Sequence, residues 1–393
     1  MYDDNTLLTI FFLICLIRPM DHEKIIKCVN GFPMARQNRR NKMNLFKTAR
    51  TIVAASAAIV TAATMTSSAQ AQSLEELYKG KTVTIMLGHP PGGSYDLYSQ
   101  LAAEFLGRHI PGNPEIIVQH RPGGGGRKGA SFFINKTQPD GMTFGVFPDS
   151  LGQIQFTRPK AAKWDAKKFR YIGRFSTANV GFAVRTDKAT TIDEMRSKEL
   201  VVACTSKNAR AAQQAAALHN MAGFNFKLVC GYKGSQATVM ASLRGEADLY
   251  SQNYASFVSD PADLGDGAMK ILIQTGLERD AGMPDIPLMQ ELTDDPKGKA
   301  VLKFLGSSAP IGRSMMIHPD TPEYIVKGIR EAFQKMLKDD AFLAEAKKRS
   351  AIITPGTGEE LEAILAEQMG SSEELIAAVR AAIDTSGAKS VKK

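Results

Sequence analysis

The stretch KTVTIMLGHPPGGSYDLYSQLAAEFLG, Lys81 to Gly107, joins a strand to a helix through a turn rich in proline and glycine. Its first eight residues have the apolar character of a buried strand. Leu97, Leu101 and Phe105 then recur every four residues, which places them on one face of a helix. A glycine-rich turn between strand and helix lets the backbone approach an anionic ligand closely. The stretch therefore predicts an α/β fold with a ligand site after this strand.

The same alternation of strand and helix continues along the chain. The apolar runs EIIVQH, MTFGVFP, ELVVACTS, FKLVCGY and MKILIQTG are separated by helical patterns, which is typical of a mostly parallel sheet flanked by helices. The runs form two blocks, and the tail has one strand followed by helices. We therefore predict two lobes, residues 75–178 plus 306–393 and residues 179–305, with two interlobe crossings near 176–184 and 303–313.

The N-terminal segment has the three parts of a secretory signal peptide. Lys47 and Arg50 precede an apolar stretch of small residues, which ends in the A-x-A site Ala69-Gln70-Ala71. We predict cleavage after Ala71 and a periplasmic mature protein, with residues 1–71 as signal peptide and N-terminal extension. Residues 1 to about 33 are interpreted as the product of an upstream start codon.

Composition excludes several classes of protein. The chain has 393 residues and a formal net charge of +9, but beyond residue 71 it holds 40 Lys and Arg against 36 Asp and Glu. This mild excess predicts no nucleic-acid partner. The spacing of histidines and cysteines fits no metal site, so we expect neither a metal nor a cofactor. Cys204 and Cys230 each end an apolar run, where a disulfide and two free buried cysteines are both possible.

Three loops between strands and helices hold the candidate site residues. In the first, Pro90 to Asp96, no P-loop lysine is present, and Asp96 could cap the helix or act as a general base. The second, RPGGGGRKG, contains G-x-G-x-x-G, but an acidic residue at the dinucleotide-binding position is absent, which argues against NAD. In the third, Lys207 and Arg210 oppose a helix dipole, so a bound anion would explain them, with a solvated loop as the alternative.

Several ordered motifs together resemble one family. PGGSYD at residues 91–96, HRPGGGG at 120–126, PDGMT at 139–143 and GYKGSQATVMASLRGEADL from Gly231 are similar to the periplasmic substrate-binding proteins of tripartite tricarboxylate transporters, the Bug-type receptors. The resemblance covers nearly all of the chain beyond the signal segment. It implies a two-lobed type II binding-protein fold that closes on a small organic carboxylate and works with integral-membrane permease subunits, and we expect the receptor to be monomeric.

The resemblance also implies which residues bind the ligand. In this picture Ser94 and Tyr95 hold one carboxylate, while Gln252 and Asn253 close the site from the second lobe. The full implied set is Gly92, Gly93, Ser94, Tyr95, Asp96, Ser150, Ser206, Lys207, Asn208, Ala209, Arg210, Gln252 and Asn253. The third loop departs from the family's S-S-G-x-G-[ST] pattern, because it lacks both glycines and adds the charges of Lys207 and Arg210.

The sequence thus favours an exported solute-binding protein that is not an enzyme. No G-x-S-x-G elbow, H-E-x-x-H motif or carboxylate pair with a partner histidine occurs in it. Two alternatives stay open: an exported α/β enzyme that acts on a carboxylic acid with Asp96 or His89 as base, and a periplasmic sensor subunit that uses the same cleft.

Overall fold

The structure is a computed structural model that describes residues 73–387 and the backbone of residues 389 and 390. The predicted signal peptide, its cleavage site and the interpreted upstream extension lie outside these residues. Within the described part, no helix is long and apolar enough to cross a membrane. The strands are β1 (Thr82–Leu87), β2 (Glu115–His120), β3 (Thr143–Val146), β4 (Arg170–Ser176), β5 (Val180–Arg185), β6 (Leu200–Cys204), β7 (Phe226–Cys230), β8 (Leu249–Asn253), β9 (Met269–Thr275), β10 (Arg313–Ile317), β11 (Gly356–Thr357) and β12 (Lys389–Ser390).

Helices connect most of these strands. The α-helices are α1 (Leu74–Tyr78), α2 (Ser94–Phe105), α3 (Arg127–Lys136), α4 (Leu151–Thr157), α5 (Ile192–Ser197), α6 (Arg210–Ala222), α7 (Ser235–Leu243), α8 (Tyr254–Ser259), α9 (Pro296–Gly306), α10 (Glu323–Met336), α11 (Asp340–Lys348), α12 (Gly358–Met369) and α13 (Glu373–Ala382). Short 3-10 helices lie at Gly107–His109, Pro159–Ala161, Ala166–Lys168, Pro261–Gly267 and Met289–Glu291.

The first lobe is built on a six-stranded sheet in the order β11-β4-β10-β3-β1-β2. β1 pairs in parallel with β2 and β3, as the alternation predicted. β10 runs antiparallel to both β3 and β4, and β11 antiparallel to β4, so this sheet is mixed rather than mostly parallel. The route of the chain explains the difference for β10. The strands β1, β2 and β3 each lead into a helix and end at the edge of the sheet that faces the other lobe. The chain enters β10 from the other lobe, so β10 starts at that edge and runs in the opposite direction.

The second lobe repeats this arrangement. Its six-stranded sheet has the order β12-β7-β6-β8-β5-β9. β6 pairs in parallel with β7 and β8, while β5, the first strand after the chain enters this lobe, runs antiparallel to β8 and β9. Both lobes therefore place the carboxyl ends of several strands at the edge that faces the other lobe, where ligands bind in open α/β sheets.

The chain crosses between the sheets within both predicted segments and once more near its end. The first crossing, 177–179, joins β4 to β5, and the second, 307–312, joins α9 to β10. A third crossing precedes α13. The prediction placed the whole tail on the first lobe, but α13 packs mainly on the second lobe's core, with further contacts to α4 of the first lobe. The reason is that α6 and α9 present an apolar surface, which the stripe of Ile376 and Val379 covers.

Both faces of each sheet are buried. In β1, alternate residues Val83, Ile85 and Leu87 belong to one core cluster, while Met86 joins a different cluster on the opposite face. The predicted face of α2 is buried at Leu101 and Phe105 and half-buried at Leu97. The sequence pattern after ELVVACTS predicts a helix from about Arg210 to Ala222, and α6 spans this range.

The start of α10 differs by one residue from the expected one. A threonine directly before a proline predicts Thr321 as the N-cap and Pro322 as the first helical residue. In the structure, Pro322 occupies the N-cap position and the helix begins at Glu323. Thr321 Oγ1 is buried without a hydrogen-bond partner among the described residues, so the capping role predicted for this side chain is wrong.

Candidate functional site

A cavity of about 280 Å³ lies between the two lobes, at the carboxyl ends of β6 and β8 and at the start of β10. Both lobes contribute to its wall, which is largely polar. The first lobe provides His89, Tyr95, Pro148, Ser150 and Arg313, and the second provides Val180, Ala203, Cys204, Thr205, Ala209, Arg210, Ala211, Ser235, Thr238, Ser251, Gln252 and Asn253.

The first loop turns Tyr95 toward the cavity and Asp96 away from it. Asp96 Oδ2 accepts a hydrogen bond from the Gly92 N–H at 2.9 Å, and Oδ1 lies 2.8 Å from His120 Nε2. Burial alone would raise the pKa of Asp96, but the hydrogen bonds from Gly92 and His120 lower it below its ordinary value. Asp96 thus ties the loop to β2 and does not line the cavity.

The second glycine-rich loop packs against the residues that directly follow β1 and β3. Gly126 has φ +85°, and a Cβ added to it would lie 2.6 Å from Pro148 Cγ. A Cβ on Gly88 would lie 2.8 Å from the Gly126 carbonyl oxygen. The loops therefore approach each other more closely than residues with side chains allow, and this contact accounts for glycine at 88 and 126 without a dinucleotide.

Aromatic stacking organises the first lobe's side of the cavity. The rings of His89 and Tyr95 stack with centroids 4.2 Å apart, and the Arg313 guanidinium lies 4.0 Å from the centroid of Tyr95. Burial and the nearby Arg313 lower the pKa of His89 to about 4, so the imidazole is neutral at neutral pH. Burial also raises the pKa of Tyr95, which keeps its hydroxyl protonated.

Of the charged residues that line this cavity, Arg313, the first residue of β10, is the most deeply buried. Only 5% of its surface is exposed. Its Nε donates to Ser94 Oγ at 2.9 Å. When the Asn253 amide is oriented so that its nitrogen donates to the Asn179 carbonyl, at 3.1 Å, its oxygen accepts from Arg313 Nη2. No carboxylate among the described residues forms an ion pair with Arg313, so only neutral groups contact its charge: the oxygens of Ser94 and Asn253 and the ring of Tyr95.

A second arginine at the cavity has a carboxylate partner from the opposite lobe. Arg210, the first residue of α6, donates to Asp149, which lies in the loop between β3 and α4. The Asp149 side chain is wholly buried, and its Oδ2 has no hydrogen-bond partner in the described part of the chain. The Asp149 N–H also lies 3.4 Å from Tyr95 Oη. This ion pair joins the lobes beside the cavity.

Neutral groups of the second lobe complete the wall. Gln252 Nε2 donates to Asp263 Oδ2 at 2.7 Å, which fixes the orientation of the Gln252 amide. Ser251 Oγ is buried without a partner among residues 73–387, and it lines the cavity. A ligand in the cavity therefore meets one uncompensated guanidinium together with hydroxyl and amide groups.

A disulfide lies under this wall. Cys204 and Cys230 face each other at the ends of the paired strands β6 and β7, with their Cα atoms 4.3 Å apart, and they form a disulfide. From the sequence, either this disulfide or two free buried cysteines were possible. The disulfide anchors the loop that begins at Thr205.

A larger interlobe cavity, of about 560 Å³, adjoins the first. The two share Ser150, Thr205, Ala209 and Arg210. The residues that line only the larger one are Gly124, Gly125, Arg127, Gln153, Ile154, Thr157, Arg158, Ser206, Asn208, Gln213, Gln214 and Leu305.

The structure brings part of the predicted set together. Tyr95, Ser150, Ala209, Arg210, Gln252 and Asn253 line the smaller cavity, and Ser206 and Asn208 line the larger. Gly92, Gly93, Ser94, Asp96 and Lys207 line neither, although Ser94 positions Arg313.

Lys207 points out of the cleft toward the C-terminal segment. Its Nζ lies 3.5 Å from the Ser386 carbonyl oxygen, and its own carbonyl accepts from Thr385 Oγ1 at 3.0 Å. The turn between Thr205 and Ala209 thus directs this side chain outward, so its charge is not available inside either cavity.

Sequence reasoning missed Arg313, Asp149, Arg127 and Arg158 as residues at the cleft. For Arg313 and Asp149 the sequence contains a feature that could have indicated a role in the site. Arg313 opens an otherwise apolar run, SMMI, and Asp149 follows directly after the strand MTFGVF and its proline. For Arg127 and Arg158 the sequence carried no such signal, because only the folded chain brings these residues, at the start of α3 and just after α4, to the cleft.

A family model matches most of the chain. The model of the TctC family, described as tripartite tricarboxylate transporter family receptor, matches residues 102–380. A protein of Pseudomonas sp. (strain P51), described as the UPF0065 protein in the tcbD-tcbE intergenic region, is 24% identical over 306 residues, which covers 76% of this chain and 86% of that protein.

Solved structures share the fold. A TctC solute-binding protein from Polaromonas, without ligand, superposes with a TM-score of 0.59 at 18% identity, covering 77% of this chain and 99% of that one. MatC from Rhodopseudomonas palustris with bound malate gives 0.56 at 20% identity, covering 77% and 99%. The two mixed sheets joined by repeated crossings and the match over residues 102–380 lead to one conclusion: the chain belongs to the TctC family of tripartite tricarboxylate transporter receptors.

Proposed function

We propose that this protein captures a small organic carboxylate between its lobes and delivers it to the integral-membrane permease subunits of a tripartite tricarboxylate transporter. The observation that carries the proposal is the buried, uncompensated guanidinium of Arg313 at the cavity wall. Burying a charge without a counter-charge is costly, and a ligand carboxylate supplies both the opposite charge and hydrogen-bond acceptors. Family membership and the malate bound to MatC support the same ligand class.

Within this proposal the cavity residues have distinct roles. Arg313 pairs with the ligand carboxylate, and the Asn253 amide and the hydroxyls of Tyr95 and Ser150 surround it. Gly92, Gly93, Ser94 and Asp96 shape the loop and position Arg313. The lobes close around the ligand by a hinge motion at the crossings, as the two-lobed architecture allows.

We also propose that the ligand leaves the protein chemically unchanged. The two candidate bases of the enzyme alternative are poorly suited to proton abstraction. Asp96 is engaged by Gly92 and His120 outside the cavity, and the low pKa of His89, about 4, makes its imidazole a weak base.

The proposal includes export to the periplasm and a monomeric receptor. The Cys204–Cys230 disulfide supports an oxidising compartment, because such bonds persist outside the cytosol. The expected signal peptide, cleaved after Ala71, would provide the route. Lobe boundaries near residues 178 and 306, together with the crossing before α13, define the two halves that close.

Thermal-shift screening of the mature chain against mono-, di- and tricarboxylates tests the proposal. Because a ligand that binds only the folded state stabilises it, at least one acid should raise the melting temperature, by an amount that grows with ligand concentration. Mass spectrometry of the recovered acid should find it unaltered. If no acid stabilises the protein, or if the stabilising acid is converted, the proposed function is wrong.

A further inference from the structure

Basic residues are concentrated in one part of the first lobe. Residues 121–168 hold nine Lys and Arg against three Asp and Glu, whereas the rest of the chain beyond residue 71 holds 31 against 33. The whole positive excess of the chain beyond residue 71 therefore comes from this segment. Six of its basic residues form one surface, which we name the basic surface: Arg121, Arg127, Lys128, Lys136, Lys160 and Lys163.

The acidic residues of the same segment do not neutralise the basic surface. Asp149 is engaged by Arg210 of the other lobe, and Asp140 and Asp165 each accept a hydrogen bond from a backbone N–H two residues further along the chain. Among residues 73–387, none of the six basic side chains forms an ion pair with a carboxylate. All of them are exposed except Arg127, which is half-buried. The surface therefore presents six charges that the described residues leave without counter-charges.

A groove of about 690 Å³ lies in the basic surface, between α3 and residues 161–163. Asn135 Nδ2 donates to the Lys163 carbonyl oxygen at 2.8 Å, which ties the two walls of the groove together. Phe132 lines the groove, and the Arg121 guanidinium lies 3.5 Å from the centroid of its ring. The charged residues that line the groove are all basic: Arg127, Lys128, Lys136 and Lys163. An occupant of the groove therefore meets positive charge along both walls.

The groove lies beside the interlobe cleft. Gly124 and Arg127 line both the groove and the larger interlobe cavity, so the basic surface reaches the edge of the cleft. All of its residues belong to the first lobe. A partner bound to this surface therefore lies next to the cleft and leaves the second lobe free to move at the hinge.

The chemistry of the groove favours an acidic polypeptide over a membrane surface. Asp and Glu side chains complement the cations of both walls, and a polypeptide can follow a concave groove, whereas a bilayer presents a flat array of headgroups. Anchoring in a bilayer also needs exposed apolar side chains. The large apolar residues exposed in the described part of the chain all lie outside residues 121–168: Ile117, Met240, Val258, Tyr324 and Leu343.

We propose that the basic surface is the docking site for an acidic segment of the permease subunits. This inference rests on the proposed function, which makes the permease the recipient of the ligand. Asp and Glu side chains of the segment enter the groove and pair with Lys128, Lys136 and Lys163. Attraction between the two surfaces also speeds their encounter, and salt weakens it by screening the exposed charges.

Fluorescence anisotropy with a labelled peptide of Glu and Gly, about 12 residues long, tests the docking site on the mature protein. The peptide should bind, and salt at about 0.5 M should weaken its binding ~10-fold or more. A peptide with Gln in place of Glu should not bind. Lys136→Glu/Lys163→Glu should raise the dissociation constant of the acidic peptide by ~10-fold or more, because two attractive contacts become repulsive.

The same variant separates docking from ligand capture. It should keep its affinity for the stabilising acid, since Lys136 and Lys163 line neither interlobe cavity. Cells whose receptor carries the two substitutions should nevertheless take up that acid ~10-fold more slowly or worse, because the receptor no longer docks on the permease.

The matched control is Lys79→Glu/Lys338→Glu, which reverses two exposed charges outside the groove and both interlobe cavities. It should bind the acidic peptide as the wild type does. Lys136→Gln/Lys163→Gln repeats the test without adding acidic groups, and circular dichroism establishes that each variant is folded.

Several outcomes overturn the docking site. These are no binding of the acidic peptide, equal peptide binding by the wild type and Lys136→Glu/Lys163→Glu, and normal uptake with that variant. Sedimentation with phosphatidylglycerol vesicles covers the membrane surface: if the substitutions abolish vesicle binding but leave peptide binding intact, the basic surface binds lipid and the proposal is wrong. If no acid stabilises the protein, the proposed function fails, while the peptide assay still decides whether the surface binds an acidic segment.

Discussion

Arg210 on the second lobe donates a hydrogen bond to Asp149 on the first lobe, directly beside the ligand cavity. Asp149 is wholly buried, and its partner Arg210 is partly exposed to the cleft. The pair joins the lobes, and it uses the arginine that the sequence analysis assigned to the ligand. Arg210 thus has two competing partners, a buried carboxylate of its own chain and an incoming acid.

Replacement of Arg210 by alanine tests the interlobe pair. Because Asp149 would stay buried without its cation, we expect the free energy of unfolding to fall by about 3 kcal/mol. Urea denaturation monitored by circular dichroism measures this loss. In the double variant Arg210→Ala/Asp149→Asn, the loss should be smaller than the sum of the two single losses, since one interaction is removed twice. Additive losses would show that the residues are not coupled.

The same variant reports on ligand binding. If Arg210 turns from Asp149 to the ligand on binding, the dissociation constant of Arg210→Ala for the stabilising acid should rise by ~10-fold or more. An unchanged constant would remove Arg210 from the ligand site and leave it only the interlobe role.

Arg313→Gln should separate affinity from stability. The variant loses the charge that we assign to the carboxylate, so its dissociation constant should rise by ~10- to 100-fold. The ligand-free protein should not be destabilised, and its melting temperature should stay equal or rise, because a buried guanidinium without a counter-anion has been removed. Titration calorimetry and melting of the same preparation measure both quantities.

Arg349→Gln is the control for Arg313→Gln. Arg349 pairs with Glu104 and Glu345 on the surface, where an ion pair contributes little, so neither affinity nor melting temperature should change appreciably. A large loss of stability in Arg313→Gln without a change in affinity would contradict the assignment of Arg313 to the ligand.

The sequence predicted the parts of the fold that depend on local periodicity. The apolar face of α2 and the range of α6 follow from residue spacing, which a single segment contains. The antiparallel direction of β10 and the position of α13 on the second lobe depend on which surface is available after the chain has crossed. These surfaces are formed by residues of both lobes, so neither feature can be predicted from the sequence of one segment.

The site likewise contains residues that a local segment predicts and residues that it does not. Tyr95, Gln252 and Asn253 could be predicted from the sequence, because they lie in a recognisable turn or at the end of a recognisable strand. Arg313 comes from a strand that lies more than 200 residues from the first loop, with Ser94 as its hydrogen-bond partner at a separation of 219 residues. Lys207 was misplaced because the direction of a side chain in a loop depends on turn geometry, which composition does not determine.

The stability of the protein should depend on pH through His89. Its pKa is about 4 in the folded protein and 6.5 in the unfolded chain, so the unfolded chain binds more protons between these values. The free energy of unfolding should therefore be fully present above pH 6.5 and fall by ~3 kcal/mol as the pH drops to 4. Urea denaturation across this range, compared with His89→Phe, which keeps a ring against Tyr95, isolates the contribution. A variant with the same pH dependence as the wild type would exclude His89 as its source.

Reduction of the Cys204–Cys230 disulfide should destabilise the second lobe and weaken binding together. The bond spans a separation of 26 residues, for which chain-entropy models give about 3 kcal/mol. It also fixes the end of β6, where Cys204 and Thr205 line the cavity, so loosening it should disturb the polar wall. We expect dithiothreitol to lower both the urea midpoint and the affinity for the stabilising acid. The double variant Cys204→Ser/Cys230→Ser should match the reduced wild type and show no response to the reductant; a response in that variant would mean that dithiothreitol acts elsewhere.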